Sequence, residues 1–340
     1  MRVFPILISL LCMASHLAFS ENKKDWSVST SVGNSVGIGT FVSGYSQTPS
    51  WITSLSLNPR YQLPAFWGMP RINLSAYQYA SVWWLESYHT TANDRDNRIA
   101  LSDTILGASM NSILDFKKSG FSMGAGLDFW LPASQFSRSM NRIIGMNPSI
   151  PMRWSQWGFN AGYTPSALMW AHSQNGVSVP CMEMSSAIIN PYDANMGLDQ
   201  VLQGLSISNS DDERMGDGTC MVSIRQNIWT LNNLFYLGWS NQNHAINVSL
   251  TWYLNFLRPL SDRPELKSQN ASLNNFNEVT AGKIVYSYTL PTETHMVLSA
   301  GVTSWQASYD RSGRLTFPFF DFVTPNNNQT QIFLQATVGI

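Results

Sequence analysis

Apolar and polar residues alternate along most of this chain, in segments of about ten residues, the length of a strand that crosses a bilayer. The clearest segment is 246–256. Ile246, Val248, Leu250, Trp252, Leu254 and Phe256 fall on one side, and Asn247, Ser249, Thr251, Tyr253 and Asn255 on the other. A helix would scatter both sets around its circumference, whereas a strand separates them. Residues 121–131 repeat the pattern, with Phe121, Met123, Ala125, Leu127, Phe129 and Leu131 against Ser122, Gly124, Gly126, Asp128 and Trp130. The first such segment sets Trp26, Val28, Thr30 and Val32 against Ser27, Ser29 and Ser31.

Extended along the chain, the pattern predicts strands near 26–45, 50–63, 70–86, 98–111, 119–131, 152–163, 166–175, 220–240, 243–257, 277–290, 294–309 and 329–340. Thr164-Pro165-Ser166, Asn241-Gln242-Asn243 and Pro291-Thr292-Glu293 read as short turns. The longer links 87–97, 132–151, 176–219, 258–276 and 310–328 fall at the opposite end. Residues 137–146 in the second of these links suggest a short helix that either narrows a pore or caps its rim. An even strand count brings both termini to the short-turn end.

Composition decides what kind of β-structure this is. Charged residues make up only 12% of the chain, about half the share usual in soluble proteins. A soluble sandwich would also alternate, but it would carry more charge on its outer faces. No segment after the N-terminus is long and apolar enough for a helical span. The remaining structure able to cross a bilayer is a closed antiparallel barrel, all-β, with every backbone group paired between strands. Trp83, Trp84, Trp154, Trp157, Trp170, Trp239 and Trp305 are expected in the interfacial aromatic girdles. The net charge of -1 offers no basic surface for nucleic acid.

The N-terminus supports export. Arg2, the apolar run Val3 to Ala18 and the small-x-small site Ala18-Phe19-Ser20 have the form of a cleaved signal peptide over 1–20, leaving 21–340 as one barrel domain. Cys12 leaves with the signal. Cys181 and Cys220 remain, an even number in an exported chain, so a disulfide is expected, two free thiols being the alternative.

At the C-terminus Ile332, Leu334, Ala336, Val338 and Ile340 alternate with Gln331, Phe333, Gln335, Thr337 and Gly339. This resembles the closing strand of bacterial outer-membrane β-barrel proteins, although that family usually ends in an aromatic residue. The resemblance implies residence in the bacterial outer membrane, contact with lipid and lipopolysaccharide, and insertion by the outer-membrane assembly machinery. His172-Ser173-Gln174-Asn175-Gly176 also resembles the His-x-Ser-Asn-Gly stretch of the outer-membrane phospholipase A family, and Ser137-Arg138-Ser139-Met140-Asn141-Arg142 its second active-site stretch. In that family the histidine and serine are two residues apart and share a strand face. Here His172 and Ser173 are adjacent, which on a strand sends them to opposite faces, and the two stretches occur in reverse order.

Other chemistry is sparse. The histidines show no metal-ligand spacing and no glycine-rich loop opens a helix, so no cofactor is expected. Asp211-Asp212-Glu213 with Asp217 is an acidic cluster that reads either as a cation site or as a solvated loop. Asp128 sits on the polar side of a convincing strand, with Lys283 and Arg153 as possible partners, either in a selectivity site or in a salt bridge that holds the lumen together. The expected role is a passive channel for small solutes. The alternatives are a display barrel that binds a partner through its long loops, and a lipid hydrolase using His172 and a nearby serine.

Overall fold

The computed structural model describes residues 25–37, 50–65, 70–86, 99–173, 177–180, 219–222, 227–257, 276–291, 295–308 and 329–339. Its strands are β1 (Trp26–Gly37), β2 (Ser50–Gln62), β3 (Ile72–Glu86), β4 (Ile99–Leu101), β5 (Thr104–Phe116), β6 (Phe121–Leu131), β7 (Arg142–Ser149), β8 (Met152–Gln156), β9 (Phe159–His172), β10 (Val177–Pro180), β11 (Thr219–Val222), β12 (Asn227–Asn241), β13 (His244–Leu257), β14 (Phe276–Thr289), β15 (His295–Ala307) and β16 (Gln329–Gly339). A short helix, α1 (Gln135–Ser139), lies between β6 and β7.

All pairings in the main sheet are antiparallel, and it closes on itself because β1 pairs with β16 and β9 with β12. β4 and β5 both lie against β3 and form one stave, and β7 and β8 both lie between β6 and β9 and form another. The wall therefore has twelve staves. β10 and β11 pair with each other, off the wall. Closure removes the sheet edges, which hydrocarbon would leave unpaired.

The expected short turns at 241–243 and 291–293 fall between strands, with Leu290 N donating to Met296 O at 2.8 Å across the second. The turn expected at Thr164-Pro165-Ser166 does not exist, since these residues lie inside β9. The real hairpin turn is Trp157-Gly158, with φ of 51° and 81°, the paired positive values of a two-residue turn whose twist matches the strands. A tryptophan at positive φ is uncommon, so this turn leaves no composition signal. The sixth stave is Arg142–Gln156, of which 142–151 lie in an expected long link and 152–156 in the expected sixth strand, and the count of twelve survives because the remainder of the divided pair becomes one stave, β9.

Two prolines explain how that region stays paired. Pro165 O accepts from Ile150 N at 3.1 Å, so the missing N–H of Pro165 faces the same neighbour, where β7 and β8 are interrupted at Ile150-Pro151. Pro151 O in turn accepts from Gly124 N at 2.8 Å. Opposite Gly124 on its other side the β5–β6 register slips, Met110 pairing with Ala125 and Leu114 with Met123. A Cβ at Gly124 would lie 2.3 Å from the Met110 carbonyl oxygen. Gly124→Val is therefore expected to destabilise the barrel by about 1–3 kcal/mol, the usual cost of overpacking, read as a lower urea midpoint in lipid vesicles.

The alternation sorts residues between the two faces as the pattern predicts. Trp51, Leu106, Phe235, Leu237, Ile332 and Leu334 are exposed on the outside. Ile52, Leu168, Trp170, Val279 and Phe333 are buried and point inward. The apolar core thus sits inside the barrel, and the outer apolar surface is what a bilayer covers. Outward polar groups pair laterally: Tyr163 Oη donates to Asn233 Oδ1 at 2.7 Å, and Trp252 Nε1 to Glu278 Oε2 at 3.2 Å.

Candidate functional site

The interior wall is built from the alternate residues of each stave, and its polar groups bridge neighbouring strands. Ser31 and Ser56 lie 2.6 Å apart, Ser287 and Ser299 2.8 Å, and Asn232 Nδ2 donates to Ser166 Oγ at 3.2 Å. At the long-link end Asn227 Nδ2, Thr230 Oγ1 and Asn255 Oδ1 form a closed buried triangle with sides of 2.7 to 3.0 Å. The bonds of the buried triangle satisfy groups that close packing would otherwise leave without a partner.

At the long-link end α1 folds against the inner side of the wall. Ser134 caps it, its Oγ accepting from Ser137 N at 3.0 Å. Asp103 Oδ1 accepts from Ser134 N at 2.9 Å, and Asp103 Oδ2 accepts from Ser137 Oγ. Arg142 Nη1 donates to Ser137 Oγ at 3.1 Å. The Arg142 guanidinium lies over the Trp170 ring at 4.1 Å and the Phe136 ring at 5.0 Å. Trp170 makes an edge contact with Trp130, another inward residue, at 6.0 Å. Ser137 is 0% exposed. The suggested helix at 137–146 is thus displaced to 135–139, and Arg142, at its expected middle, begins a strand instead.

The sequence-predicted residues scatter over the interior. Asp128 faces inward, half-buried, and accepts from Asn147 Nδ2 at 3.4 Å. Lys283 faces inward and is exposed, its Nζ 4.8 Å above the Phe333 ring. Arg153 faces inward, exposed, opposite Ser122 and Gly162. Asp128 thus meets Asn147, and Lys283 meets Phe333. Arg60, also inward and exposed, is a lumen cation that the sequence reading passed over, because the flanking Asn58, Pro59 and Tyr61 blur the alternation there. Asp103 and Ser134 were missed as well; a Ser three residues ahead of a Ser in a short polar run is the one available signal for the cap.

His172 faces the interior at the end of β9, opposite Arg142. Ser173, past the strand end, donates through Oγ to the Asn141 carbonyl at 3.3 Å and through its backbone N at 2.8 Å. Gln174 to Gly176 lie outside the described residues, as do the 1–20 segment, Cys181 and the acidic cluster of Asp211, Asp212, Glu213 and Asp217. The side chain of Cys220 is likewise not described. Among the described residues no group of acidic, His or Cys side chains converges on a metal position.

Two expected girdle residues are lumenal instead. Trp170 is buried against Arg142, and Trp305 packs on Tyr253 inside the barrel with ring centroids 4.9 Å apart. Trp157, 86% exposed at its turn, and Trp239 do belong to the outer surface, joined there by Trp26, Trp51 and Trp252.

A closed antiparallel wall of twelve staves with an apolar outside and a hydrogen-bonded polar inside is a bacterial outer-membrane β-barrel, and its place is the outer membrane. The comparisons agree with that class. The chain is similar in fold to an outer-membrane channel from Pseudomonas putida F1, at 8% identity, covering 95% of this chain and 98% of that one with a TM-score of 0.52. More distant are OprD of Pseudomonas aeruginosa (7% identity, 94% and 97% covered, TM-score 0.36) and an outer-membrane phospholipase dimer with bound calcium from Salmonella typhi (11% identity, 96% and 96% covered, TM-score 0.35). No family model matches the sequence, and no curated protein does.

Proposed function

We propose that the protein is a passive channel for small solutes across the outer membrane. The observation that carries this reading is that Arg60, Arg153 and Lys283 point into the barrel and are nevertheless exposed. Charged side chains are favoured where water reaches them, which supports a water-filled interior beside three separate staves. Hydrogen-bonded serines, threonines and asparagines line the rest together with inward apolar residues such as Ile52, Val279 and Phe333. A twelve-strand barrel is narrower than the porins of 16–18 strands, and α1 narrows its long-link end further, so the cargo is small.

The purified protein is expected to give stepwise ionic conductance in planar bilayers and to let small sugars, but not larger ones, swell loaded liposomes. Flat traces across salts together with liposomes that do not swell would end the channel reading. The same reading takes residues 1–20 as a cleaved export signal ahead of a single barrel domain at 21–340, with β16 as the strand the assembly machinery engages, lipopolysaccharide against the outer leaflet side and a Cys181–Cys220 bridge in the long link. Asp128 belongs here as a lumen charge toward the long-link end. A second reading, a barrel that displays a binding surface, is favoured by the β10–β11 pair lying off the wall at the foot of the longest link. Deleting 181–218 then abolishes partner binding and leaves conductance intact.

A further inference from the structure

We infer that the lumen selects for small anions, with Lys283 as the residue that sets the preference; this rests on the channel reading. The inference comes from where the inward charges stand around the wall. Counting staves from β1, Arg60 is on the second, Arg153 on the sixth and Lys283 on the tenth. The three cations are therefore spaced evenly around the circumference, four staves apart. All three lie in the half of their stave nearer the short turns. A solute in that half of the lumen meets a positive group from whichever side it approaches.

The carboxylates stand on other staves. Asp115 is inward and exposed near the short turn after β5, on the fourth stave. Asp128, on the fifth, lies in the half nearer the long links and accepts from Asn147. Asp103 is buried in the α1 cluster, where it accepts from Ser134 N and Ser137 Oγ. The short-turn rim adds exposed Lys117 and Lys118, and Arg71, which donates to Gln62 Oε1 at 3.0 Å. In the half of the barrel toward the short turns the described inward charges are thus three cations against two carboxylates, Asp115 and, at the strand end opposite Gln62, Asp25, with Lys117, Lys118 and Arg71 adding to the positive side. A low-dielectric wall focuses that excess onto the water inside.

Lys283 is singled out by its depth and its seating. It lies six residues in from the end of β14, further from the short turns than Arg60 or Arg153 are on their own strands. Its ammonium is held over the Phe333 ring, an arrangement that restrains a long side chain without neutralising it. Phe333 is itself fixed by Gly301, where a Cβ would fall 2.8 Å from the ring. The charge is therefore positioned on a rigid aromatic and directed at the lumen.

The test is the reversal potential of single channels of the full-length protein in a potassium chloride gradient. The expected sign is that of chloride passing faster than potassium. Lys283→Gln should reduce the preference and Lys283→Glu reverse it, with heat-modifiable gel migration confirming that each variant is a folded barrel. Should Lys283→Glu fail to fold, Lys283→Gln together with Arg153→Gln carries the same expectation. A conducting channel with no preference, a preference for potassium, or a chloride preference unmoved by the Lys283 variants overturns the inference and leaves the channel standing. Absence of conductance removes both.

Discussion

Leu334→Arg is expected to cost the barrel about 2–4 kcal/mol, the penalty for a cation on the lipid face near the bilayer midplane. Leu334 is 65% exposed on the outside of β16 and sits mid-strand, between Phe333 and Gln335, which point inward. The same substitution one residue along, Gln335→Arg, should leave stability nearly unchanged, because a lumenal guanidinium keeps its water. The pair is measured by urea titration of vesicle-inserted protein, or more simply by the temperature at which heat-modifiable migration is lost. Equal costs at the two positions would mean that β16 is not a lipid-facing strand.

Asp103→Ala should have the next largest effect, with a loss of about 3 kcal/mol and a rise in conductance. Asp103 accepts from the cap residue Ser134 and from Ser137, and Ser137 accepts from the buried Arg142. Removing the carboxylate strips a buried charged network of its acceptor, and hydrogen bonds to charged groups are worth about 1.5–3 kcal/mol each. The tie between α1 and the wall goes with it, so the long-link end widens. Single-channel recordings check the second half of the expectation, and a stability loss with unchanged conductance would show that α1 does not narrow the path. Asp103→Asn, which keeps an acceptor for Ser137, should fall between the two.

Most of the architecture was legible because the bilayer imposes a rule on every strand. Outside must be apolar, inside must be hydrogen-bonded, and the period of two follows. Ile246, Val248 and Trp252 were assigned outward on that rule and are exposed there. The region 142–172 was misread because it breaks the rule's punctuation. Pro165 looks like a turn residue but sits where a neighbouring stave is interrupted, and Trp157 looks like a strand residue but makes the turn. Trp170 and Trp305 were misassigned for a related reason: a girdle tryptophan and a lumenal one have the same composition and differ only in the parity of the strand that carries them.

The candidate site was less legible than the fold. Lys283, Arg153 and Asp128 were recognisable as inward charges from alternation alone, but alternation says nothing about angle around the barrel. Only closure, with β1 against β16 and β9 against β12, separates the three cations by four staves each and shows Asp103, Asp115 and Asp128 gathered to one side. Asp103 and Arg142 both reach Ser137 because α1 bends back over the wall between them, a convergence of residues far apart in sequence and not encoded in any local pattern.

The amino-acid sequence by itself determined that this chain forms strands and that they close in a membrane, because those follow from local alternation and from the scarcity of charge. The tertiary structure alone decided which charges meet the same water and which are locked away, because in a closed barrel a side chain's neighbours are set by stave order and register, and both exist only once the last strand has paired with the first.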